Sequence, residues 1–322
     1  MPRLASVLTW ADRLGAGKAR WGIGRMSSLV PPGLYALGTP GPGSPVVVTA
    51  NYKMTYDSVR RSLKGYDVWV LVLETYGINV WCAAGKGSFG TEELARRVLA
   101  SGLAKVVGHR RLILPILGAP GVAAHQVFRQ CGFSVIYATI YADDLPGFLD
   151  NGMVTTPAMR ELRFSLGDRL VLIPVEVVLE LKTLAGVSAF VFAACALAGG
   201  FSSAWLGLGA YLGAALGGIV AVPLLLPWLP TRSFAVKGAS VGLLWTLGYL
   251  FLLGGDWSPM TTAAACLLLT PVSAYHGLNF TGCTPYTSRS GVKKEMRIGI
   301  PLMGISIMMG LLVFALSRFT GL

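Results

Sequence analysis

A chain of 322 residues that is 53% hydrophobic and only 13% charged departs from soluble proteins, in which roughly 25% of residues are charged. The net charge of +12 does not indicate nucleic-acid binding, because the cations form no stripe interleaved with aromatic residues. The five cysteines are widely spaced without a C-x-x-C pair, so neither a disulfide framework nor an internal iron–sulfur or zinc site is supported.

The charged residues divide the sequence into two parts. Residues 1–182 contain 20 Lys/Arg and 13 Asp/Glu, whereas residues 183–322 contain 7 and 2. We therefore predict a soluble domain over 1–165, a linker or interfacial segment over 166–182 and a transmembrane domain over 183–322. The apolar run at 169–182 fits either a last strand or an interfacial lead-in to the membrane.

In chain order, the soluble part alternates apolar, β-branched runs with helical patterns. The runs predict strands at 45–49, 68–75, 111–117 and 133–140. Helical patterns lie between some of them, at 91–100 and 122–130. This alternation predicts an α/β domain with a mainly parallel sheet, whose ligand loops follow the carboxyl ends of the strands.

Five apolar stretches then follow, each close to the 20 or so residues that a helix needs to cross a hydrocarbon core of about 30 Å. They lie at 184–203, 205–229, 234–254, 261–281 and 298–319. A single residue separates the first two stretches, which predicts a tight helical hairpin.

Lys and Arg are concentrated in two of the connecting loops. The loops after the second and fourth stretches contain Arg232, Lys237, Arg289, Lys293, Lys294 and Arg297. The loop after the third stretch has only Asp256. Basic loops stay in the cytoplasm, and residues 1–30 combine five cations with no long apolar core of a secretory signal. We expect a multi-pass protein of the inner (cytoplasmic) membrane, with the N-terminal domain cytoplasmic and Leu322 outside.

The most unusual segment is N-V-W-C-A-A-G-K-G-S-F-G at 79–90. Its three glycines fit a dinucleotide fingerprint only in part, since no acidic residue follows between Leu94 and Ala142 to hold a ribose. A P-loop fails as well, because Val80 replaces the first glycine and Gly87 follows Lys86 where Ser or Thr is required.

What remains is Cys82, flanked by a tryptophan and by small residues, at the end of a strand and beside a helix N-terminus. The helix dipole and Lys86 favour the thiolate, a soft ligand suited to a soft metal. The small residues Ala83, Ala84 and Gly85 let the backbone approach a large, flat ligand. Composition alone favours a buried structural cysteine, and that interpretation stays open at this point.

The segment N-V-W-C-A-A-G-K closely resembles the cap-helix motif of the HgcA family, the membrane-bound corrinoid proteins of microbial mercury methylation. The resemblance covers nearly the whole chain, including 31–53, 77–97, 109–127, 145–153 and the tail with N-F-T-G-C-T-P-Y-T-S at 279–288. It implies a Rossmann-like, corrinoid-binding α/β domain, similar to the large subunit of the corrinoid iron–sulfur protein of acetyl-CoA synthesis. It also implies an all-α transmembrane domain of five helices.

The resemblance further implies that Cys82 is the catalytic residue and the protein ligand of the cobalt. The implied cofactor-binding residues are Thr49, Asn79, Val80, Trp81, Cys82, Ala83, Ala84, Gly85, Lys86, Gly118, Ala119, Pro120 and Gly121. Without the resemblance, Thr49 is a plain strand threonine and 118–121 an ordinary turn.

The remaining polar candidates are predicted to have ordinary roles. His109 and His125 are expected to be surface or core histidines rather than cobalt ligands. His276 and Asn279 are expected at the solvated membrane interface. Cys283 is expected to be a bystander thiol, with a way-station for Hg(II) as the open alternative.

The activity that the resemblance implies is corrinoid-dependent methyl transfer to Hg(II), giving methylmercury, from a donor such as a methylated folate. The chain lacks the cysteine cluster of its soluble relative, so the implied reductant is a separate partner, a two-cluster [4Fe–4S] ferredoxin (HgcB-like). Two alternatives remain: a related membrane corrinoid methyltransferase with a different acceptor, and a membrane transporter with a cytosolic regulatory domain.

Overall fold

A computed structural model describes residues 1–253 and 257–320. Asp256 and Leu322, used above to predict the outer side, lie outside the described residues. The chain divides into two compact units, Met1–Arg163 and Phe164–Leu322.

The first unit is built on one six-stranded sheet. Its strands are β1 Arg3–Leu4, β2 Gly33–Leu37, β3 Val46–Ala50, β4 Val68–Leu73, β5 Arg111–Leu114 and β6 Ser134–Tyr137, in the order β1-β2-β4-β3-β5-β6. Strands β3 to β6 are parallel, with β3 between β4 and β5, and β2 pairs antiparallel with β4. The prediction of an α/β domain with a mainly parallel sheet is therefore confirmed.

Helices cover both faces of this sheet. They are α1 Trp10–Arg20, α2 Lys53–Ser62, α3 Val80–Lys86, α4 Thr91–Ala100, α5 Leu103–Val106, α6 Ala124–Cys131 and α7 Leu145–Asp150. One core lies beneath α3, α4 and α6, and a second lies beneath α2 and α7. Every residue of β3 and β4 is buried, which explains why these strands are continuous apolar runs rather than alternating ones.

Strand β4 ends at Leu73, two residues before the end predicted for it, and two further predicted strands are shorter than their apolar runs. The run at 111–117 leaves the sheet after Leu114, because a 3₁₀ turn begins at Ile116. The run at 133–140 pairs only over Ser134–Tyr137. In both cases the remaining apolar residues lie in loops at the carboxyl edge of the sheet, and apolarity alone does not distinguish such loops from strand.

The second unit is helical among its described residues. Its helices are α8 Leu166–Leu216, α9 Val222–Leu225, α10 Phe234–Leu253, α11 Pro259–Asn279 and α12 Arg289–Thr320. Helix α8 begins at a capping box formed by Ser165 and Asp168. The last-strand alternative for 169–182 is therefore wrong, since this run lies in the first turns of α8.

Helix α8 contains a sharp reversal at Gly200, whose φ of 82° is outside the helical region. The ring centroids of Phe192 and Trp205, on either side of this glycine, lie only 5.1 Å apart. Leu184 and Tyr211 likewise share one buried cluster. The two arms thus fold back on each other, as the predicted hairpin requires.

Three described helical stretches are long and apolar enough to cross a membrane: Leu166–Leu225, Phe234–Leu253 and Ser290–Ser317. The first contains both arms of the hairpin. The fourth predicted span forms α11, which is long enough but is not among the three, since threonines, Ser273 and His276 interrupt its apolar residues. The count of five spans and their sidedness stay predictions.

Candidate functional site

The segment around Cys82 forms the short helix α3. Asn79 caps it by accepting a hydrogen bond from the Cys82 backbone N–H at 3.0 Å, and Gly87 ends it in the left-handed conformation with φ of 84°. Cys82 therefore lies in the first turn of this helix, rather than in a loop that leads to one.

Helix α3 has a buried side and an exposed side. Val80, Ala83 and Ala84 are buried in the core, whereas Cys82 and Trp81 are exposed. Gly85 and Lys86 are exposed as well. Helical periodicity turns the methyl groups of Ala83 and Ala84 towards the sheet, where they pack in the core; the role of both residues in cofactor contact stays a prediction.

Gly85 lies one turn after Cys82 on the exposed side. A methyl group built at Gly85 would meet no atom of the described residues within 4 Å, and its φ is not in the left-handed region. Packing and backbone conformation therefore do not require a glycine at this position. Gly85 thus leaves open space on the exposed side of α3, one turn from Cys82.

The loop at 118–121 supports α3 from below. A methyl group at Gly118 would lie 2.6 Å from the Phe89 ring, and one at Gly121 would lie 2.9 Å from Cα of Ala84. These two glycines therefore serve close packing within the protein, and their contact with a cofactor stays a prediction. Ala119 and Pro120 are exposed.

A cavity of about 350 Å³ opens at the carboxyl edge of the parallel strands. Thr49, Asn79, Val80 and Trp81 all line it, so the structure brings these four predicted residues together. Thr49 is only 1% exposed, and its Oγ1 has no hydrogen-bond partner among the described residues. A buried hydroxyl without a partner is costly, so Thr49 is an unusual residue to find in this core.

Part of the cavity wall was not predicted from the sequence. Helix α2 and the residue before it contribute Tyr52, Met54, Thr55 and Ser58. No helix was predicted there. The buried residues Tyr52, Tyr56 and Val59 are nevertheless four and three residues apart, which is the spacing of one side of a helix. That spacing is the signal that could have found this wall.

The two histidines of this unit lie away from the cavity lining. His109 Nε2 donates to the Ser44 carbonyl at 2.9 Å, and its Nδ1 accepts the Arg111 N–H at 3.2 Å. Both nitrogens of His109 thus serve the fold. His125 is exposed on α6.

In the second unit, the polar candidates lie against two glutamates of α8. His276 is buried, with its Nδ1 4.0 Å from a carboxylate oxygen of Glu180, which corrects the expectation of a solvated position. The Asn279 amide donates to Glu180 at 3.3 Å, and the Cys283 thiol donates to Glu176 at 2.8 Å.

Within the described ranges, no group of three or more His, Cys, Asp or Glu side chains could hold a metal ion.

Comparison with known proteins shows a partial relationship. Residues 24–130 match the family described as CO dehydrogenase/acetyl-CoA synthase delta subunit. The chain is also similar to subunits named acetyl-CoA decarbonylase/synthase complex subunit gamma. The one from Methanopyrus kandleri is 33% identical over 123 residues, 38% of this chain and 26% of that protein. The one from Methanocaldococcus jannaschii is 30% identical over 129 residues, 39% of this chain and 26% of that protein.

A gamma 2 subunit from Methanosarcina thermophila is 36% identical over 124 residues, 36% of this chain and 25% of that protein. The chain thus spans about a quarter of the length of these relatives. The matched region 24–130 contains Thr49, α3 and the loop at 118–121, so it includes every predicted site residue.

Proposed function

We propose that the first unit binds a corrinoid through Cys82 and uses it for methyl transfer. The observation that carries the proposal is the exposed side of α3, where a thiol lies beside a glycine that the fold itself does not require. The matched region 24–130 supports it, because this region contains the whole site and resembles subunits of acetyl-CoA-forming complexes.

The residues present fit such a group in three respects. Cys82 offers a soft thiolate to cobalt, and its backbone is fixed by the Asn79 cap. Gly85 leaves room for a flat ring to approach the helix. Thr49 offers a buried hydroxyl that lacks a partner in the described part of the chain. The amide-rich rim of a corrinoid could supply that partner.

When bound, the corrinoid supplies a cobalt centre that accepts a methyl group and passes it on. The protein's own contribution would be to position the cofactor and to adjust its reactivity. Cys82 would hold the metal and donate electron density to it, which is one of the main ways in which a protein adjusts a cofactor. Trp81 and the apolar residues of the cavity wall would limit the access of water to a group bound there.

We propose Hg(II) as the methyl acceptor, giving methylmercury, with a methylated folate as donor. The resemblance of the motif at 79–86 and of the tail at 279–288 supports this choice. The relatives support the alternative of another acceptor, because their names refer to acetyl-CoA chemistry.

We further propose an external electron donor. Methyl transfer to Hg(II) would leave the bound cofactor oxidised, so it would have to be reduced before the next turnover. The five cysteines of the chain contain no C-x-x-C pair that would indicate an internal iron–sulfur cluster. A separate ferredoxin with two [4Fe–4S] clusters has the required chemistry, because such clusters reach potentials as low as roughly −700 mV. Without it and without an artificial reductant, the chain should transfer at most one methyl group per cobalt.

The test uses full-length protein, anaerobically loaded with methylcobalamin and given Hg(II), with methylmercury as the readout. We expect Cys82→Ala to lose the activity and Cys131→Ala to keep it, since Cys131 is a half-buried thiol on α6, a helix that contributes no residue to the cavity lining, whereas α3 contributes Val80 and Trp81. Equal methylmercury yields from the two variants would contradict the role of Cys82. Methyl transfer to another acceptor, with none to Hg(II), would contradict the mercury assignment alone.

A further inference from the structure

Helix α1 carries its large apolar side chains on the side that faces away from the protein. Trp10, Leu14 and Trp21, which directly follows the helix, are four and seven residues apart and therefore lie on one side of it. Their side chains are 75%, 42% and 53% exposed. We call these three residues the α1 stripe.

The opposite side of α1 is held firmly to the domain. Ala19 is buried, and Asp12 forms ion pairs with Lys53 at 2.6 Å and with Arg60 at 2.7 Å. Burial by itself raises the pKa of Asp12, but hydrogen bonds from Lys53, Thr9 and Arg60 outweigh it and hold the pKa well below its ordinary value. This anchoring prevents α1 from rolling over to bury the stripe in its own domain.

Cations border the stripe on both sides. Arg13 and Arg20, seven residues apart, lie along one edge, and Lys18 lies along the other; all three are exposed. Asp12 is the only acidic residue among residues 1–30, and its charge is already paired with the domain.

The apolar surface continues beyond the helix. Ile23 and Met26 are 63% and 66% exposed. A soluble protein rarely exposes so many large apolar side chains together, and such patches mark contacts with a membrane or a partner. The family match begins at residue 24, so the α1 stripe and its cations lie outside the part shared with that family.

We propose that the α1 stripe is a membrane-surface docking site, which lies in the headgroup layer of an anionic phospholipid bilayer. Tryptophans between cations fit this layer, because the indole rings prefer the interface while Arg and Lys contact phosphate groups. The same chain carries helices that are long and apolar enough to cross a membrane. Tethering by such helices gives α1 a high effective concentration at the bilayer, so weak docking is sufficient.

The test compares full-length protein in nanodiscs of phosphatidylcholine with nanodiscs that also contain phosphatidylglycerol. Hydroxyl-radical oxidation of Trp10 and Trp21, read by mass spectrometry, reports their exposure to water. We expect slower oxidation of both on the anionic discs and recovery at high salt, which screens the attraction. The triple variant Arg13→Gln/Lys18→Gln/Arg20→Gln should lose the protection, with about fivefold weaker docking for each cation removed.

A matched variant removes three exposed cations elsewhere on the unit, as Lys64→Gln/Lys105→Gln/Arg129→Gln. It should retain the protection of both tryptophans on anionic discs. Oxidation rates that are the same in both types of disc would overturn the proposal. Protection that appears only when a second protein is added would overturn it too, and would assign the stripe to a protein partner.

Discussion

Replacing Gly85 by alanine should change protein stability and cofactor binding in opposite directions. The new methyl group meets no described atom within 4 Å, and the position lies inside a helix. Alanine is better than glycine inside a helix by roughly 0.5–1 kcal/mol, so the protein without cofactor should become more stable by that amount. For a unit of this size, the melting temperature should rise by about 1–4 °C.

Corrinoid binding should instead weaken, because the methyl group occupies the surface beside Cys82 that we assign to the ring. We expect a loss of about 1–3 kcal/mol, the usual cost of an added methylene at a tightly packed site, or roughly 5- to 150-fold in affinity. The assays are thermal unfolding of the cofactor-free, full-length protein and equilibrium titration with cobalamin.

Gly15→Ala provides the matched control for this experiment. Gly15 also lies inside a helix, α1, with no described atom within 4 Å of an added methyl group. It should raise stability similarly and leave corrinoid affinity unchanged. If Gly85→Ala binds cobalamin as tightly as the unaltered protein, the exposed side of α3 is not the corrinoid surface.

Three further outcomes are expected. Thr49→Val should stabilise the cofactor-free protein by about 1–3 kcal/mol, by removing a buried hydroxyl without a described partner, and should weaken cobalamin binding about 2- to 12-fold. Because the pKa of Asp12 is held below its ordinary value, its ion pairs should stabilise α1 above about pH 4 and lose this effect as the pH falls further. Hydrogen exchange of the α1 amides, compared between the unaltered protein and Asp12→Asn, measures this loss of stability. For sidedness, a membrane-impermeant thiol reagent applied outside cells should label Trp257→Cys and miss Lys294→Cys, which lies in the first turns of α12. The reverse pattern would refute a cytoplasmic position of the basic residues.

The parallel strands were predictable because burial on both sides of the sheet determines which residues they contain. Strands β3 and β4 are buried on both sides, so they need apolar, β-branched residues at nearly every position. Helix α4 was predictable with its bounds, since Glu92 and Glu93 lie in its first turn and an apolar stripe follows. Strand β2 was missed because its sequence, G-L-Y-A-L, begins with glycine and contains no β-branched residue.

The candidate site was predictable only in part. The importance of Cys82 came from a rare motif, but which neighbours face outward depends on the helical form of 80–86, which the sequence alone did not give. Ala83 and Gly85 look alike as small residues, yet one is packed into the core and the other is open to solvent. Thr49 Oγ1 has no hydrogen-bond partner among the described residues, and this depends on the packing of strands and α2 around the cavity. No local sequence pattern predicts such packing.

A similar limit applies to the second unit. Hydropathy located its helices, but the break at Gly200 is a backbone feature of one residue between two apolar arms. Lys237 was counted as a loop cation, whereas it is buried in α10 and donates to the carbonyls of Leu226 and Leu229. Charge counting cannot distinguish such a capping lysine from one that faces the cytoplasm.

The visible absorption spectrum of full-length protein, purified anaerobically after expression with cobalamin, tests the assignment of Cys82 most directly. We predict that the unaltered protein and Cys131→Ala retain near-stoichiometric cobalt and share one spectrum. Cys82→Ala should show a shifted spectrum or lose the cofactor, because the soft sulfur ligand has been removed. A Cys82→Ala protein that holds cobalt with an unchanged spectrum would contradict the account.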